Sequence, residues 1–217
     1  MEHSESIIVP IDGLNLEGEL AFTPQSLGTV LFAHGSGSSR HSPRNQLVAR
    51  VLRQHRIGTL LFDLLSRDEE REDQIRGHLR FDISLLARRL LRATHWYRGQ
   101  HPQAVIGYFG SSTGGAAALV AAAQPDLEIG AIVSRGGRPD LAGAALPEVK
   151  APTLLLVGSR DTQVIELNRQ AITRMRCVKE LRLIPGATHL FEEPGALEEV
   201  ASLAAEWFET HFQQRRS

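Results

Sequence analysis

Short apolar runs rich in β-branched residues alternate along this chain with longer segments in which apolar side chains recur every three or four positions. That is how a parallel sheet covered by helices on both faces reads, so the pattern predicts an α/β fold. Eight runs read as strands: Ser6 to Val9, Leu16 to Ala21, Thr29 to Ala33, Gly58 to Phe62, Ala104 to Phe109, Ala131 to Ser134, Thr153 to Val157 and Leu181 to Ile184. The first two are expected to form an antiparallel edge. Ile83, Leu86, Ala87 and Leu90 fall at i, i+3, i+4 and i+7, which predicts a surface helix with Arg88, Arg89 and Arg92 on its wetted side. The same spacing in Leu197, Val200, Ala201 and Ala204, continuing into Trp207 and Phe208, predicts a long C-terminal helix, with Pro194 placed to start it.

Between these elements, the run from Arg67 to Arg80 is the most charged stretch and reads as a solvated face. Gly136 to Pro147, rich in Gly, Ala and Pro, reads as a loop with one helical turn. No internal repeat or interdomain linker interrupts the pattern. With 217 residues, a single domain spanning 1–217 with one sizeable core is expected.

Charge and cysteine usage narrow the partners. Lys plus Arg (24) nearly balances Asp plus Glu (25), so no strong field exists to hold nucleic acid or an anionic membrane surface, and neither is expected as a partner. No stretch approaches the roughly 20 apolar residues of a membrane span, and Met1 to Pro10 lacks a basic start followed by a long apolar run. The single cysteine, Cys177, cannot form an internal disulfide, so a reducing, cytoplasmic setting is expected, with no structural metal ribbon and no cofactor.

The candidate chemistry begins at Gly110-Ser111-Ser112-Thr113-Gly114, where an apolar strand ends and an alanine-rich helix begins. It matches G-x-S-x-G, a sharp strand-to-helix turn that holds its central serine in a strained conformation and needs nearly side-chain-free positions two before and two after it. Ser112 meets that requirement. With Ser111 as the centre, Phe109 would stand where a small residue is needed. A Gly/Ser-rich turn could match by chance, so the partners downstream matter.

A serine hydroxyl needs an imidazole to take its proton and a carboxylate to fix that ring's tautomer. Asp161 follows the strand Thr153 to Val157 and His189 follows the last strand, which completes the order Ser, Asp, His. Asp161 could instead be a turn residue or helix cap, and Asp140 is the second candidate acid. The oxyanion formed on attack would be held by the amide of Thr113 and by that of Ser36, in the loop His34-Gly35-Ser36-Gly37 that follows the third strand. His34 reads as structural.

With these motifs in hand, the chain from about Ile7 to Phe212 resembles the dienelactone-hydrolase-like branch of the α/β-hydrolase superfamily, in a serine-nucleophile subgroup whose members are sometimes fused to a phosphoribosyltransferase. The stretches that carry the resemblance are His34 to Asn45, Ser134-Arg135-Gly136-Gly137-Arg138-Pro139-Asp140, and His189-Leu190-Phe191-Glu192-Glu193-Pro194-Gly195. No transferase segment is expected within this sequence. The resemblance implies an eight-stranded, mostly parallel sheet without a cap domain, a triad on Ser112, Asp161 and His189, and a carboxylic ester hydrolase acting on a small-molecule ester or lactone. Dienelactone hydrolase itself uses cysteine at the elbow and an acidic residue in the oxyanion loop, where this chain has Ser112 and only Gly and Ser around Gly35, which points away from dienelactone.

About 18 residues separate Ser134 from Thr153, room for a loop rather than a lid, so an open site is expected. Arg135 or Arg138, after a strand end that faces the cleft, could attract an acidic group on the substrate, or could simply be exposed loop residues. A non-catalytic binding module on the same fold, and acyl transfer in place of hydrolysis, remain as alternatives. The oligomeric state is not encoded in these patterns.

Overall fold

In the computed structural model, which describes residues 3–216, the sheet has eight strands in the order β1-β2-β4-β3-β5-β6-β7-β8. They are β1 (His3–Ile11), β2 (Leu14–Phe22), β3 (Thr29–Ala33), β4 (Gly58–Phe62), β5 (Ile106–Ser111), β6 (Ala131–Arg135), β7 (Thr153–Gly158) and β8 (Lys179–Ile184). The β1–β2 and β2–β4 pairs are antiparallel, and every pair from β4 through β8 is parallel. This is the α/β-hydrolase fold, a mostly parallel eight-stranded sheet.

Six α-helices among the described residues complete it: α1 (Pro43–Gln54), α2 (Arg67–Arg76), α3 (Ile83–Gln100), α4 (Thr113–Ala122), α5 (Thr162–Arg174) and α6 (Ala196–Gln214). The central strands are buried along their whole length because helices cover both faces. Side chains alternate between two cores. Val30, Phe32, Leu61, Phe109 and Val133 pack with α1 and α6, while Leu31, Leu60, Tyr108 and Ile132 pack with α3 and α4. Each core is therefore set by the period of two along the strands.

Four expectations need correction. Arg89 does not face water: its side chain is buried, with Nη2 2.6 Å from Oε1 of Glu69 on α2. Helical spacing marks the face away from the sheet, but α2 folds back over part of it. The charged run is accordingly only partly a solvated face. Ser66 and Glu69 cap α2 reciprocally, and the buried Asp73 pairs with Arg80 while accepting from the Leu79 amide at 2.6 Å. The segment 136–147 holds more than one turn, a 3-10 stretch over Pro139–Glu148 broken at Gly143. Pro194 precedes α6 by two residues, and Gly195, at φ +81, caps it.

The strand order places the site. From β3 the chain moves outward to β4 and then returns to pair β5 on the other side of β3, so connections diverge between β3 and β5. A crevice opens at the carboxyl ends of strands at such a switch point. The loop after β3 and the turn after β5 both end there.

Candidate active site

Ser112 stands between β5 and α4 with φ 51 and ψ −121, a left-handed conformation that few non-glycine residues adopt. The turn is held by its own backbone. Ser112 donates its amide to the Arg135 carbonyl at 3.2 Å, and its carbonyl accepts from the amides of Gly115 and Arg138 at 3.0 and 3.1 Å. The side chain is thereby carried proud of the strand end, at the N-terminus of α4, where the helix dipole favours developing negative charge.

Asp161 occupies the N-cap position of α5, yet its side chain makes no capping hydrogen bond. Its Oδ2 lies 2.7 Å from Nδ1 of His189 instead. His189 belongs to the turn after β8, which the buried Phe191, at φ 56, pins to the core. The Thr188 amide beside it donates to Oε1 of Glu193 at 3.1 Å. A methyl group built on Gly136 would lie 3.4 Å from Cε1 of His189, so the ring rests against the end of β6, the same segment whose Arg135 carbonyl anchors Ser112. Ser112 and His189 line one cavity of about 230 Å³ with Gly35, Ser36, Arg44 and Arg135. With its Nδ1 hydrogen directed at a carboxylate, the imidazole presents Nε2 as a base.

The loop after β3 packs on the elbow. A Cβ on Gly35 would stand 3.0 Å from that of Ser112. Gly35 donates its amide to Oγ of Ser111 at 3.1 Å, and Ser36 donates its amide to Oγ1 of Thr113 at 3.1 Å. The Ser36 amide, expected from sequence to face the oxyanion directly, therefore points at the Thr113 hydroxyl, which retains its own hydrogen to donate onward. His34 holds the loop from behind. Its Nε2 accepts from the Leu64 amide at 3.0 Å, so Nδ1 carries the hydrogen and donates to the Gly35 carbonyl at 3.1 Å. Burial lowers the His34 pKa and keeps the ring neutral.

The two arginines named from sequence separate in space. Arg138 is clamped by Asp140 through bonds of 2.9 and 2.7 Å, so Asp140 is engaged there rather than by an imidazole, and Arg138 is absent from the cavity wall. Arg135 is 9% exposed, lines the cavity, and has its buried Nη1 without a hydrogen-bond partner. Burial, reinforced by the charge of Arg44, pushes its pKa down to about 10, which leaves it a cation at neutral pH. Arg44, at the start of α1, faces the same space and pairs with Glu192 at 3.3 Å. Arg44 lies within the stretch His34 to Asn45 with no role expected of it from sequence, and the same holds for the hydroxyls of Ser111 and Thr113. Nothing local marks these residues, because each acts on a segment far away in the chain. Among the described residues, no group of three or more His, Cys, Asp or Glu side chains is placed to hold a metal ion. No helix among the described residues is long and apolar enough to cross a membrane.

Comparison with known proteins agrees with this geometry at the level of fold and family. A family model described as an alpha/beta hydrolase domain matches residues 26–204. A solved structure of dienelactone hydrolase from Anabaena variabilis is 53% identical, with a TM-score of 0.94 over 97% of this chain and 98% of that one. Est1E from Butyrivibrio proteoclasticus shares the fold at 16% identity, with a TM-score of 0.80 over 96% of this chain and 99% of its own. A Mycobacterium tuberculosis protein provisionally named a phosphoribosyl transferase is 53% identical over 95% of this chain, which spans 46% of that protein, about half its length.

Proposed function

Because the chain belongs to the alpha/beta hydrolase family, in its dienelactone-hydrolase-like branch, we propose that it is a serine hydrolase cleaving small to medium esters or lactones through an acyl-Ser112 intermediate. The observation that carries the reading is the Asp161–His189 contact of 2.7 Å in the cavity onto which the strained Ser112 opens. Ser112 Oγ attacks the carbonyl carbon while His189 Nε2 accepts the hydroxyl proton. Collapse of the tetrahedral intermediate breaks the carbon–oxygen bond, and the same proton passes to the leaving oxygen. Water, deprotonated by His189, then releases the acid and regenerates the serine. Asp161 holds the ring tautomer and stabilises the imidazolium.

The oxyanion is received by the Thr113 amide and by the Thr113 hydroxyl, which the Ser36 amide polarises. Thr113→Val is expected to lower kcat about 100-fold, the usual loss for one oxyanion donor, with KM little changed and activity restored in Thr113→Ser. Unchanged kcat in Thr113→Val would assign the oxyanion to amides alone.

A buried guanidinium nitrogen without a partner is costly to keep, and Nη1 of Arg135 is one, in the cavity shared with the proposed nucleophile. Its position supports a substrate that carries a carboxylate or similar anion. Arg135→Leu is expected to raise the melting temperature while cutting kcat/KM for anionic esters about 100-fold relative to neutral ones. Equal losses on both kinds of ester would remove the anion from the reading.

The test of the function itself is reaction with a fluorophosphonate, followed by mass spectrometry of the peptide that bears the adduct. Labelling at Ser112, with turnover of simple esters, supports the hydrolase. Absence of both would assign the fold to a non-catalytic binding module. Product analysis with an added alcohol separates hydrolysis from acyl transfer. The transferase name of the mycobacterial relative covers a protein about twice as long and does not enter this reading.

A further inference from the structure

A second cavity, of about 250 Å³, adjoins the first. Gly35, Ser36 and Ser38 line both, so the loop after β3 is the wall they share, while His189, Arg44 and Arg135 belong to the first alone. Leu65 and Leu86 form apolar walls of the second, and the exposed Glu70 and Gln74 stand on α2 at its edge. The other ionised groups there are internally paired: Asp63 with Arg40, and Asp73 with Arg80. His34 is neutral and bonded at both ring nitrogens.

Resting on the hydrolase reading, the chemistry orients a substrate across this wall. His189 must hand its proton to the leaving oxygen, so the alcohol portion lies on the His189 side, among Arg44 and Arg135. The carbonyl oxygen turns toward Thr113 and Ser36, and the acyl portion must then run past Ser36, away from the imidazole. We infer that the cavity bounded by the loop after β3, Leu65 and Leu86 receives the acyl portion of the substrate, as a neutral and largely apolar group, and that the arginine side receives an alcohol portion bearing a carboxylate. The substrate class is an O-acylated hydroxy acid. A cavity of about 150 Å³ holds benzene, so this one has room for a larger acyl group. A carboxylate on the acyl side would meet Glu70 and lose the arginines.

Two measurements test this. For p-nitrophenyl acetate, butanoate and octanoate, which share one leaving group, Gln74→Trp is expected to lower kcat/KM for octanoate about tenfold or more relative to acetate. Gln74 is exposed, so its variant tests the cavity without disturbing the core. For charge placement, O-acetyl glycolate is expected to be cleaved at least about tenfold faster than monomethyl succinate, a difference that Arg135→Leu should reduce. An unchanged chain-length profile in Gln74→Trp, or a preference for succinate, would overturn the inference while acetate turnover leaves the hydrolase reading standing. No turnover of any ester by the native protein, with no fluorophosphonate adduct, would instead overturn the hydrolase reading and this inference with it.

Discussion

Ser112→Ala is expected to eliminate fluorophosphonate labelling and to reduce ester turnover by roughly a million-fold, the scale seen when a serine hydrolase loses its nucleophile. Water attacking directly, aided only by the oxyanion donors, would supply the remainder. A companion variant separates chemistry from strain. Ser112 sits at φ 51, where a Cβ is disfavoured and glycine is not. Ser112→Gly should therefore be equally inactive yet more stable than the native chain by about 1 kcal/mol, measured by urea denaturation. Strain maintained in the active protein and released in the inactive one is what a turn selected for catalysis predicts. Persistent activity in Ser112→Ala would refute the nucleophile assignment, and a destabilised Ser112→Gly would show that the hydroxyl, not the bend, is structural.

The second large effect concerns Gly114→Ala. A Cβ at this position would stand 2.0 Å from the Ala33 carbonyl oxygen, 2.6 Å from its carbon and 2.7 Å from the His34 carbonyl oxygen. All three are backbone atoms at the point where β3 enters the oxyanion loop, so no side chain can swing aside, and either α4 or the loop must move. We expect a loss of at least about 3 kcal/mol, with ester turnover falling in whatever protein still folds, because the same displacement separates Ser36 from Thr113. Gly99 provides the control. It lies in α3 with nothing within 4 Å of its would-be Cβ, and Gly99→Ala should be neutral or stabilising by up to about 1 kcal/mol. A Gly114→Ala protein as stable as the native chain would mean that the close approach of helix and strand is not needed.

These two variants explain why the motif could be read without coordinates. Gly110 and Gly114 are small because the elbow presses α4 onto β3 and β5, and Ser112 is where the strain falls. Strand positions were legible for a similar reason. β3, β4 and β6 are mostly apolar and buried along their whole length because helices cover both faces, and their observed ends lie within one residue of those read from the pattern. Arg89 was misread because helical period records only a helix's own neighbours. It places a residue opposite the sheet but carries no information about α2 returning over that side to supply Glu69.

Polar partnerships followed the same division. That an acid and an imidazole come after β7 and β8 is visible as order along the chain. That the Asp161 carboxylate leaves the end of α5 uncapped and turns to His189 depends on atoms 28 residues apart. Likewise Arg135 and Arg138 are indistinguishable in sequence, three residues apart at the end of β6 and just beyond it. Folding gives one of them Asp140 and leaves the other buried beside Ser112 and Arg44. The fold class, the order of elements and the bend that carries Ser112 were determined by the sequence itself, since burial period, glycine placement and turn chemistry are local properties. The direction of the Ser36 amide, the separation of the two arginines and the cavities on either side of the β3 loop were decided only by the tertiary structure. Each depends on which distant segments come within hydrogen-bonding distance, and that distance is not encoded in spacing along the chain.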